Sequence, residues 1–194
     1  MEKYYQQNYQ TYHQQTFYID PTSFLSPLEK RLKPGADVLD IGCGSGRDLL
    51  WFKERGYTVV GFEKSRGLAE LAMKNSGCEM IEGDFETYDF SRLSVDAILL
   101  VGTLVHLPHK KFKPAFQNIS NCLNASGKIL VSVKEGSGLF EDTHGRIFYL
   151  WQDKDLRDIF AELGHEILDF NRQISAVRET DIWLGYVLVK KHNR

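Results

Sequence analysis

Short, near-continuous apolar runs occur at 37–41, 58–62, 95–101 and 128–133, with a briefer one at Met80-Ile81 and two late ones near 165–170 and 183–190. Apolar runs of this length between turn residues read as buried strands. Stretches with helical spacing lie between them. One spans 47–55 and is closed by Gly56. A second spans about 66–75, with Ser65 placed to cap it. Phe112, Phe116, Ile119 and Leu123 mark a third, whose start Pro114 is expected to delay or kink. Asp155 to Leu163 forms the last, closed by Gly164. Another helix is expected between Asp20 and Leu32. Asp20-Pro21 and Ser26-Pro27-Leu28-Glu29 compete as its start, and Lys33-Pro34-Gly35 stops it.

Strands that alternate with helices and are apolar on both faces imply a doubly wound α/β fold, a parallel sheet with helices on both faces. The stretch 171–182 is too polar and irregular to be the helical crossover that a parallel pair needs. The last two strands are therefore expected to pair antiparallel. The expected sheet is mostly parallel and seven-stranded, with one antiparallel strand near the C-terminal edge. At 194 residues, one domain over 19–194 accounts for the core. Residues 1–18 are rich in Gln and Tyr, and Tyr5, Tyr9 and Tyr12 fall on one helical face. This segment reads either as a loosely docked leader or as an aromatic lid.

Bulk composition narrows the function classes. A net charge of −2 disfavours broad attraction to nucleic acid. No apolar run approaches the ~20 residues that span a bilayer, and the N-terminus lacks a signal-peptide pattern. Cys43, Cys78 and Cys122 are far apart, with no C-x-x-C. That suits a reducing cytoplasm, without disulfides and without a metal site.

The candidate chemistry gathers where strand 37–41 ends. Asp40 is followed by Gly42, Gly44 and Gly46 and then by a helix. Such a loop brings backbone amides to a ligand at a helix mouth. The dinucleotide rule G-x-G-x-x-G places its third glycine five residues after the first. Here Gly46 comes four after Gly42, and Asp40 has no part in that rule. Glu63 follows the second strand, where a carboxylate can accept from ribose hydroxyls. By itself Glu63 does not separate one adenosine cofactor from another. Gly83-Asp84-Phe85 ends the third strand and Val101-Gly102-Thr103-Leu104 the fourth.

The spacing D-x-G-x-G-x-G resembles the first motif of class I S-adenosylmethionine (AdoMet)-dependent methyltransferases. The resemblance, to small bacterial single-domain members, runs nearly end to end. It includes Tyr4-Tyr5 with Asn8, Tyr12 and Thr16, then Gly44-Ser45-Gly46-Arg47-Asp48 and Leu104-Val105-His106-Leu107-Pro108. It continues through Ser132-Val133-Lys134, Gly136, Gly145-Arg146-Ile147-Phe148 and Trp183-Leu184. Glu63 replaces the usual aspartate and Tyr9 a small residue. The resemblance implies AdoMet as cofactor and S-adenosylhomocysteine as product. It implies cofactor contacts from Tyr12, Asp40, Gly42, Cys43, Gly44, Gly46, Glu63 and Lys64, and from Asp84, Phe85, Val101, Gly102 and Thr103. In that scheme Asp84 takes the adenine amino group.

Methyl transfer needs alignment more than a nucleophilic side chain. His106 is the candidate base, against the alternative of a packing histidine. Tyr9, His106, Lys134, Arg146 and Arg178 are the acceptor-site candidates. For the three cations the alternative is structural ion pairing. The basic run at 109–113 reads as a solvated helix start. The expected function is direct in-line methyl transfer to a small molecule, by a monomer or homodimer. RNA or protein methyl transfer and non-catalytic AdoMet binding are the alternatives. An NAD-dependent reductase is disfavoured by the glycine spacing and by the lack of a Tyr-x-x-x-Lys-type catalytic pair: Tyr149 is followed four on by Asp153, and Tyr186 by Lys190 in an expected strand.

Overall fold

A computed structural model describes residues 2–191. Its strands are β1 (Asp37–Ile41), β2 (Thr58–Glu63), β3 (Glu79–Glu82), β4 (Val95–Val101), β5 (Leu123–Lys134), β6 (Leu139–Glu141), β7 (Ile147–Tyr149), β8 (His165–Ile174) and β9 (Ile182–Lys190). Its helices are α1 (Glu2–Gln7), α2 (Tyr9–Thr16), α3 (Thr22–Glu29), α4 (Arg47–Lys53), α5 (Arg66–Ser76), α6 (His109–Ile119) and α7 (Asp153–Glu162). Seven strands form one sheet in the order β3-β2-β1-β4-β5-β9-β8. β1 to β5 are parallel, and β9 runs antiparallel to both β5 and β8. The expected single reversed strand is therefore β9, one place in from the edge. β6 and β7 form a separate hairpin outside the main sheet, which the strand pattern did not anticipate.

Successive residues of the central strands bury on opposite faces, as the pleat requires. Leu39, Ile41, Ile98 and Leu100 join Phe112, Phe116 and Phe160 of α6 and α7 on one side. Val38, Ala97 and Leu99 join Leu25, Leu49 and Phe52 of α3 and α4 on the other. Both faces are covered, so the strands read as unbroken apolar runs. The order reverses at β1, which has β2 on one side and β4 on the other. The crevice beyond the carboxyl ends of these strands is the ligand position of open α/β sheets.

The start of α3 takes one of the two candidates, and that of α6 differs from expectation. α3 begins just after Asp20-Pro21, with the Asp20 carboxylate accepting the Thr22 amide at 2.9 Å. Ser26-Pro27 lies inside it. α6 begins at His109 with Pro114 in its interior, undelayed. Pro114 is exposed, and so is Lys110, the residue four back whose carbonyl it cannot serve. Residues 2–16 are helical and docked. The chain bends at Asn8, so Tyr5, Tyr9 and Tyr12 belong to two short helices and not to one.

Candidate active site

The loop after β1 runs under the N-terminal helices. Gly44 has φ +57°, and a Cβ there would lie 3.2 Å from the Tyr12 ring, which roofs the loop. Gly46 has φ +89°, and a Cβ there would meet the Ala72 Cα at 2.8 Å. Gly46 therefore lets α5 pack against the loop and is not in the cavity wall. Its expected role as a cofactor contact becomes one of packing. Thr103, also expected to touch cofactor, instead packs on Gly42 and donates to the Ile41 carbonyl.

Asp40 is 2% exposed and faces the cavity, and its Oδ2 has no hydrogen-bond partner among the described residues. Burial, and then the charge of Asp48, push its carboxyl well above the usual range. The nearby cation is already engaged. Arg47 donates to Asp48 at 2.6 Å and 3.1 Å.

Glu63 is placed differently from the expected ribose contact. Its Oε2 accepts the Gly44 amide at 3.0 Å and its Oε1 the Ser65 amide at 2.8 Å. The longer arm turns back and ties the loops after β1 and β2 together, and Glu63 does not line the cavity. Ser65 does not cap α5 with its side chain, which donates instead to the Tyr5 carbonyl at 3.1 Å. Lys64 pairs with Asp84 at 2.8 Å, and Asp84 lies in a separate depression with Gly83 and Tyr88. Phe85 packs at the margin of the core. The expected methionine and adenine ends are thus not one continuous cavity here.

One cavity of about 340 Å³ brings together Asp40, Gly42, Cys43, Gly44, Val101 and Gly102 of the expected cofactor set, with Tyr12 above them. It also brings in His106, Lys134, Arg146 and Arg178. Tyr9 does not join them. Its ring packs on Gly67 of α5, where a Cβ would lie 2.8 Å away. It fastens α2 to the domain, so the expectation that it narrows the pocket is not met.

His106 sits in the turn after β4. Its Nδ1 is 2.6 Å from the Ile147 carbonyl, which can only accept, so Nδ1 carries the hydrogen. Nε2 then offers its lone pair, and the Tyr5 hydroxyl donates to it at 2.8 Å. Burial drives the imidazole pKa down to about 4. Burial also raises that of Tyr5, so its proton stays on. The site holds a neutral histidine at neutral pH.

The cations of the wall are ion-paired, with two carboxylates that the sequence reading missed. Arg146 donates to Asp142 at 2.7 Å and stands over the Tyr4 ring at 4.5 Å. Lys134, 8% exposed, pairs with Asp181. Its Nζ lies 4.2 Å from the centre of the Phe148 ring. Asp142 and Phe148 belong to the β6–β7 hairpin. Its signals were present as Phe-containing triplets around Asp142-Thr143-His144-Gly145, but strands of three residues fall below what apolar periodicity resolves.

Residues 38–127, from β1 into the start of β5, match the family model of the methyltransferase domain. That stretch is a little under half of the chain, and over it the chain is similar to methyltransferase domains. Among curated relatives, the chain is similar to phosphoethanolamine N-methyltransferase 1 of Zea mays. They are 32% identical over 108 residues, which is 52% of this chain and 21% of that protein. The chain thus spans about a fifth of the length of that relative. Among solved structures it resembles 1,6-didemethyltoxoflavin-N1-methyltransferase of Burkholderia thailandensis, solved with bound 1,6-didemethyltoxoflavin and S-adenosylhomocysteine. The TM-score is 0.77 at 19% identity, covering 98% of this chain and 85% of that one. It also resembles magnesium protoporphyrin IX methyltransferase of Synechocystis, with a TM-score of 0.78 at 15% identity and 98% of both chains covered. At these identities the likeness is one of fold.

Proposed function

We propose that the chain is an AdoMet-dependent methyltransferase that transfers the methyl group directly, in line, to a small-molecule acceptor. One observation carries the reading: the unpartnered, buried Oδ2 of Asp40 beside the open backbone of Gly44. A buried carboxylate is costly unless a cation or donor meets it. The ammonium of an amino-acid moiety answers that need. A dinucleotide would instead bring a pyrophosphate against Asp40 and Asp48, with Arg47 the neighbouring cation and already engaged.

The residues present fit AdoMet. Asp40 would take its ammonium, Gly44 would leave room for its chain, and the backbone at Val101-Gly102 would line the methionine side. When bound, the cofactor supplies an activated methyl group. The chain then has to orient the acceptor, exclude water and accept a proton where the acceptor carries one. His106 holds a free lone pair at Nε2 once Tyr5 yields it, and Tyr5 and Tyr12 close the cavity from above. Positioning of this kind can supply ~7–11 kcal/mol. A cavity closed by α1, α2 and the β6–β7 hairpin suits a small acceptor better than RNA or a folded protein. Three free buried thiols suit a reducing cytoplasm. No helix among the described residues is long and apolar enough to cross a membrane.

A melting panel tests the reading. A ligand at ~100 times its dissociation constant adds ~2.7 kcal/mol of stability. S-adenosylhomocysteine should raise Tm and NAD should not. A rise with NAD alone would overturn the proposal.

A further inference from the structure

We propose that the acceptor is a compact molecule bearing an oxyanion, a carboxylate or a phosphate. The oxyanion docks at Arg178, beside the Lys134–Asp181 pair at the outer end of the cavity, with the molecule's accepting atom across the Phe148 ring at His106. The proposal rests on the methyltransferase reading and names the substrate class of that site.

The cations around the cavity differ in how firmly each is held. At the glycine-loop end, Arg47 is taken by Asp48 at 2.6 Å. In the middle, Arg146 and Asp142 neutralise each other. At the outer end, Asp181 serves two cations. It bonds Lys134 closely, and Arg178 stands 4.0 Å away with its side chain 57% exposed. Glu135 is taken by Arg172 at 2.7 Å. Of the cations of the wall, Arg178 is the most loosely held. A guanidinium fork matches a carboxylate or phosphate.

The surroundings suit a bound anion. Lys134 is enclosed by the rings of Phe148, Phe140 and Trp183, at 4.2, 5.2 and 5.5 Å from its Nζ. Arg178 lies 5.7 Å from the centre of the Phe140 ring. Aromatic walls exclude water, and an ion pair strengthens when water leaves. The Phe148 ring spans the gap to the chemistry. Its centre is 4.5 Å from that of the His106 ring and 4.2 Å from Lys134 Nζ. At the glycine loop Arg47 is already engaged by Asp48, so the loosely held cation at the outer end sets the orientation.

Calorimetric titration of benzoate, inorganic phosphate and neutral benzamide tests this, on the full chain alone and saturated with S-adenosylhomocysteine. At least one oxyanion should bind and benzamide should not. Which of the two oxyanions binds more tightly tells carboxylate from phosphate. Arg178→Gln should weaken the oxyanion about tenfold, the usual size of a lost charge-assisted bond. Asp181→Asn, which removes the competing carboxylate, should tighten it. Opposite signs from these two substitutions are not what a purely structural role produces. Equal binding of benzamide and benzoate, no oxyanion binding at all, or an unchanged affinity in Arg178→Gln would overturn the proposal. Failure of S-adenosylhomocysteine to bind would count against the methyltransferase reading instead, while the titrations on the chain alone still decide the oxyanion site.

Discussion

The Tyr5 hydroxyl and the His106 imidazole, 101 positions apart in sequence, meet at 2.8 Å. The N-terminal helix thereby caps the nitrogen that a reaction would need. Tyr5→Phe removes one hydrogen bond with little change in packing, at a cost of about 1 kcal/mol. Limited proteolysis should cut residues 2–18 faster in this variant, with the rest of the domain intact. Equal cutting rates would show that Tyr12, Tyr9 and Arg146 hold the segment without Tyr5.

The pH dependence follows from His106. Its folded pKa is about 4 against 6.5 unfolded, so protonation favours the unfolded chain. Its contribution to stability is complete above about 6.5 and is lost as the pH falls toward 4, at up to ~1.4 kcal/mol per pH unit. Denaturant midpoints of the parent chain between pH 7 and 4.5 should fall more steeply than those of His106→Gln. Methyl transfer that uses His106 as base should keep its rate well below pH 6.5.

Gly44 and Gly46 should respond differently. Gly46→Ala sets a Cβ 2.8 Å from the Ala72 backbone, which cannot give way cheaply. A loss of about 1–3 kcal/mol is expected in urea melts. At Gly44 the neighbour is the Tyr12 ring, at the edge of a docked helix. Gly44→Val should therefore cost less stability than Gly46→Ala and more S-adenosylhomocysteine affinity, read by calorimetry.

Glu63→Gln should lower stability as well as ligand affinity. Both carboxylate oxygens accept backbone amides, and the amide group of glutamine can replace only one of them. The other amide is left facing a donor, at a cost of about 1–3 kcal/mol. An unchanged Tm with weakened binding would return Glu63 to the role of a ribose contact.

The strand–helix alternation, the seven strands, the reversed pairing at the C-terminal end and the glycine loop were legible in the sequence. Each is written in local terms: apolar runs match the pleat of a sheet buried on both faces, and polar 171–182 cannot form a crossover helix. Asp40, Gly44 and His106 were legible for the same reason, since strand ends and glycine spacing place them at the crevice. Tertiary structure alone decided which side chains meet. Glu63 turns to the Gly44 amide because one more methylene lets it reach backbone. The helix breaks at Asn8, and Tyr9 packs on Gly67 of α5 while the Tyr5 and Tyr12 rings meet each other. Lys134 and Arg146 look like free cations in sequence until Asp181 and Asp142, from two separate turns, arrive beside them. Hydrophobic periodicity is a property of neighbours along the chain and survives in any context. Charge pairing and hydrogen bonding depend on distances of a few ångströms between residues far apart in sequence, and only the packed fold sets those.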